Sequence, residues 1–77
     1  MKFIILIIFL HQNLWALNSE TIFEQEFKVA QMGDPLAQRR VAQYFKDGIG
    51  VEKNITEAFR WFSKAAKRGD LSAQNSL

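Results

Sequence analysis

Cysteine is absent from this 77-residue chain, and histidine and proline each occur once. Without cysteine there is no thiol chemistry, no disulfide staple and no lipid-modified export signal. The lone His11 falls in a segment expected to be removed, which leaves neither an acid–base histidine nor a histidine metal site. No sign of charge dominates, since ten Lys and Arg face eight Asp and Glu. That balance implies neither nucleic acid nor an anionic membrane as partner. Long apolar runs are missing too: the longest, Phe3 to Leu10, has eight residues, far fewer than the roughly 20 that cross a bilayer core. Gly48-Ile49-Gly50 lacks the Lys-Ser/Thr sequel of a phosphate-cradling loop.

What is present begins with that short run. Met1-Lys2 precedes it, polar His11-Gln12-Asn13 stops it, and the small residues Ala16 and Ser19 follow. A basic start, an apolar stretch and a small residue at the cut form the order of a secretory signal peptide. Residues 1–19 are therefore expected to be a signal peptide, cleaved after Ala16 or Ser19. The chain is expected to be exported, to the periplasm or the medium if its source is bacterial. It would meet a membrane only through this leader before cleavage. Loss of Lys2 with the leader leaves nine Lys and Arg against eight Asp and Glu, a net charge of +1. A mature domain of about 60 residues without a disulfide is expected to be marginally stable.

The strongest pattern in the rest is a 36-residue step. Phe23 returns as Phe59, Lys28 as Lys64, Ala30 as Ala66, Gly33 as Gly69, Asp34 as Asp70, Ala37 as Ala73 and Gln38 as Gln74. A period of this length marks an array of supersecondary units, each of which buries its apolar face against its neighbours.

Local signals within the period are helical. Thr21 with Glu24 has capping-box spacing, and Phe23, Phe27 and Ala30 share one helical face. Gly33 ends that helix, and Asp34-Pro35 supplies an N-cap and a first-turn proline for the next. The second helix is expected from Pro35 to about Asp47, with Ala37, Val41, Tyr44 and Phe45 facing inward. After Gly48-Ile49-Gly50, where a positive φ is expected, Asn54 caps a third helix reaching about Arg68, with Glu57 placed to reciprocate. The Asn54-Ile55-Thr56 acceptor pattern for N-glycosylation is thereby given a capping role. Ala58, Phe62, Ala65 and Ala66 form the third helix's stripe, widened by Phe59 and Trp61. Lys64, Lys67 and Arg68 suit the negative end of its dipole.

Gly33, Ala37-Gln38, Tyr44, Gly48-Ile49-Gly50-Val51, Ala58, Trp61-Phe62, Lys64-Ala65-Ala66 and Gly69 together resemble a Sel-1-like repeat. The resemblance implies an all-α fold, an α/α helical-hairpin repeat of the tetratricopeptide-like solenoid type. It would have about three helices plus a C-terminal stub after an N-terminal signal helix. Residues 20–33 would be a degenerate preceding repeat helix, 34–69 the complete repeat and 70–77 the start of a truncated next one.

The resemblance also implies protein binding, as an interaction or adaptor module, with a protein or peptide partner. No cofactor is implied. In related solenoids the first helix of each unit lines the concave surface, and Arg39, Gln43 and Lys46 share the polar side of that helix. These three are the candidate protein-binding face, as donors to backbone carbonyls or carboxylates. Assembly is the alternative: apolar ends at Phe23, Phe27 and Leu77 would stack on another copy or dock to a longer repeat protein. A truncated remnant of a repeat gene would read the same way. The remotest reading, a penicillin-binding or β-lactamase-like relative, lacks both those relatives' cysteines and a Ser-x-x-Lys pair, since Ser63 and Lys67 are four apart. No catalytic residue is expected, and the chain is read as a non-enzyme.

Overall fold

The computed structural model describes residues 18–77, all helix and connecting turns. The expected leader through residue 17, including both its apolar run and the Ala16 cut, lies outside the described residues. The first helix, α1, is described over 18–31; α2 spans Pro35–Asp47, α3 Ile55–Lys67 and α4 Leu71–Ser76. α2 and α3 have the predicted bounds and form the helical hairpin. Thr21 lies inside α1 rather than at its start, because the helix already includes residue 18. Its capping-box spacing is a local pattern that the longer helix overrides.

The caps at α2 and α4 follow from sequence. Asp34, in extended backbone, accepts the amides of Leu36 at 2.9 Å and Ala37 at 3.2 Å, and Pro35 occupies the first turn without needing a donor. Asp70 accepts the Ala73 amide at 2.8 Å. At α3 the capping box is half made. Asn54 accepts the Glu57 amide at 3.0 Å, but its own amide goes to the Phe45 carbonyl at 2.8 Å, and Glu57 turns to Arg60. The tertiary partner wins because it also fastens the loop to the end of α2.

The 36-residue step is repeated in three dimensions. Gly33 and Gly69 have φ of 104° and 94°, and each donates its amide, at 3.0 Å, to the alanine three residues back. Gln38 Nε2 donates to the Ala30 carbonyl at 3.1 Å, and Gln74 Nε2 to the Ala66 carbonyl at 3.0 Å. α1–α2 and α3–α4 are thus one junction built twice. Gly48 and Gly50 both take positive φ, as expected. Gly50 has a second constraint: a Cβ there would collide with the Ser19 carbonyl, so the start of α1 rests on the α2–α3 loop.

Small residues set the spacing of the core. Ala30, Ala37, Ala42, Ala58, Ala65 and Ala73 are buried around Val41, Trp61 and Phe62. Phe23, Phe27, Phe45 and Ala66 pack against it half-buried. The inward faces differ in phase from those expected. α2 buries Ala37, Gln38, Val41 and Ala42, leaving Tyr44 and Phe45 partly covered, and α3 buries Trp61 where Phe59 stays 61% exposed. Phe27 decides the latter choice. It meets the Trp61 ring edge-on at 5.5 Å, so α1 covers the Trp61 side of α3 and leaves the Phe59 side open.

Candidate functional site

α2 carries the candidate face because its inward stripe turns Arg39, Gln43 and Lys46 outward at i, i+4 and i+7. Gln43 and Lys46 are exposed. Arg39 is half-buried, and its Nε donates to Asp70 Oδ2 at 3.3 Å, with Oδ1 equally close. The adjacent Arg40 takes the opposite direction and pairs with Glu26 at 3.2 Å. One arginine therefore ties α2 to the cap of α4 and the other ties it to α1. Each such bond is worth only about 0–1 kcal/mol near the surface, but both orient the helices that flank the face. Arg39 is the member of the trio already occupied, whereas Gln43 and Lys46 have free donors pointing to solvent.

Lys46 also borders a shallow groove of about 260 Å³ with Ile55, Phe59, Phe62 and Ser76. This is the open side of the hairpin. Phe23 and Phe27, expected at an apolar end, instead point inward: Phe23 meets Phe45 edge-on at 5.3 Å and stacks with Phe27 at 5.5 Å. Leu77 is exposed, as are Ile55 and Phe59, which line this groove.

A larger groove, about 620 Å³, lies between α1 and α3. Lys64, Lys67 and Arg68 line it, so residues read from sequence only as complements to a helix dipole share a surface. Their spacing along α3 was the available signal. What sequence did not supply was α1 as the opposite wall. Among the described residues no cluster of His, Cys, Asp or Glu suits a metal ion, and no helix is long and apolar enough to cross a membrane.

Residues 35–70, the span from the first α2 residue to the α4 cap, match the family model of the Sel1 repeat. The chain carries a Sel1 repeat in its α2–α3 hairpin. Over 55 residues it is 33% identical to the chitin synthase regulator SKT5 of Saccharomyces cerevisiae. That match takes in 71% of this chain and 8% of the relative, so the chain corresponds to a small part of that protein. No solved structure gives a significant match. Sel1 repeats are in general protein-interaction modules rather than enzymes.

Proposed function

We propose that this chain is an exported adaptor that presents the outer face of α2 to a protein or peptide. The observation that carries the reading is the fastening of α2 on both sides. Gln38 and Arg40 bind it to α1 and Arg39 binds it to the Asp70 cap of α4, so that Gln43 and Lys46 project from a fixed helix. The Sel1 match and the likeness to a protein named as a regulator support an adaptor. Gln43→Glu with Lys46→Glu is expected to reduce capture of a partner from an exported-protein extract at least about tenfold, the usual scale for reversing contact charges. Unchanged capture with unchanged helicity would overturn it. Arg39 is tested separately, because its replacement also loosens α4.

Export rests on the leader pattern, and the fold favours one of its two cuts. Cleavage after Ala16 keeps Ser19, whose carbonyl packs on Gly50; cleavage after Ser19 removes it. Intact-mass measurement of the exported protein is expected to give a chain beginning at Leu17, and a start at Glu20 would overturn this choice.

Assembly is a second reading, favoured by one observation. Phe23 is half-buried among Phe27, Tyr44 and Phe45, whereas its repeat counterpart Phe59 is 61% exposed beside exposed Ile55. A further helical unit on that side would cover Phe59 as α2 covers Phe23. In sedimentation, a mass above monomer that Phe59→Ser abolishes would support stacking, and a monomer at all concentrations would exclude it.

A further inference from the structure

We infer that the groove between α1 and α3 is a binding site for an acidic peptide in extended conformation. Its α3 wall is one helical face: Glu57, Arg60, Trp61, Lys64, Lys67 and Arg68 follow at three- and four-residue spacing. Four cations thus stand against one carboxylate, and that carboxylate, Glu57, is engaged with Arg60 at 3.4 Å. Lys64, Lys67 and Arg68 have no ion-pair partner among the described residues. The charge concentrated here is unlike the balanced composition of the chain as a whole.

The floor supplies a second, independent observation. Trp61 Nε1 and Gln38 Oε1 are buried without a hydrogen-bond partner, on residues that are each 4% exposed and both line the groove. The orientation of Gln38 is fixed, because its Nε2 donates to the Ala30 carbonyl, which can only accept. A lone donor and a lone acceptor on the lining of one groove suit an amide, whose C=O accepts from the indole and whose N–H donates to Gln38. A phosphodiester, which has no O–H, would satisfy the indole but meet the Gln38 oxygen as a second acceptor. The residues from Glu57 to Arg68 rise about 16 Å along the helix, room for about five extended residues. Lys64, with its Nζ 4.3 Å from the Trp61 ring centroid, holds one cation over the indole face.

Solvent does not reach either floor atom in this conformation, so engagement requires a covering side chain to part. Arg68 is the candidate. Its guanidinium lies over Gly33 within about 3 Å of where a Cβ would stand, and no carboxylate anchors it. A ligand carboxylate would draw it off the glycine and open the floor.

The test titrates the isotope-labelled full chain with a capped hexapeptide of alternating Glu and Ser, following the Trp61 indole N–H by NMR, assigned with Trp61→Phe. Saturable movement of that resonance is expected, weakening as salt screens the charges. Lys64→Gln with Lys67→Gln is expected to lower affinity at least about tenfold, while Gln43→Glu with Lys46→Glu leaves it unchanged, which separates this groove from the α2 face. No movement of the indole resonance at millimolar peptide would overturn the inference. Equal binding of the Gln-for-Glu peptide, or tighter binding of polyphosphate or an oligonucleotide, would do the same.

Discussion

The α1–α2 and α3–α4 junctions have the same bonds and different surroundings. Both turn on a positive-φ glycine, both cap with aspartate, and both fasten a glutamine to the alanine carbonyl eight residues earlier. At the first junction Gln38 is buried and Phe23 is packed into an aromatic cluster. At the second Gln74 and Phe59 are exposed. Local geometry is therefore set by the repeated residues, whereas the energy each contributes depends on what lies outside. α2 spans 13 residues and α4 spans six, so the second junction has half the helix to cover it.

Paired substitutions measure that difference. The largest effect is expected at the aromatic pair. Phe23→Ala should cost about 2–3 kcal/mol by urea denaturation, somewhat below the full core value because the ring is only half-buried, while Phe59→Ala should stay within about 0.5 kcal/mol. Equal costs would mean that Phe59 is covered in solution, turning the contrast into evidence for stacking. Next is the glutamine pair. Gln38→Ala removes a buried bond from the Ala30 carbonyl, which keeps the Gly33 amide, and should cost about 1 kcal/mol, whereas at the exposed Gln74→Ala site water replaces the lost donor to the Ala66 carbonyl, at a cost within about 0.5 kcal/mol. The smallest contrast is between the caps. Asp34→Ala should lower global stability by about 1 kcal/mol, and Asp70→Ala should register as faster amide exchange confined to 71–76. Slowed or unchanged exchange there would show that neither the cap nor the Arg39 pair, both of which end on the Asp70 carboxylate, holds α4.

Much of this fold was legible. The bounds of α2 and α3 followed from Asp34-Pro35, Gly48 and Asn54, because caps act through bonds within four residues. The inward faces were legible only to within one helical position. Gln38 is polar and Trp61 and Phe59 are both aromatic, so hydropathy alone could not say that Gln38 and Trp61 turn inward. Arg39 and Arg40 are adjacent and chemically identical, yet one reaches Asp70 and the other Glu26. The candidate face was legible as a face, but not the occupation of Arg39, whose partner lies 31 residues away. The basic groove was half legible, its α3 wall from spacing and its α1 wall not at all.

The amino-acid sequence by itself determined the helices, their caps and the 36-residue repetition, since each depends on backbone groups a few residues apart. Only the tertiary structure decided which member of each repeated pair is buried, which arginine is free, and that two orphaned polar atoms lie beneath a row of cations. Burial and pairing depend on which surfaces meet across the hairpin, and residues equivalent in sequence meet different neighbours there.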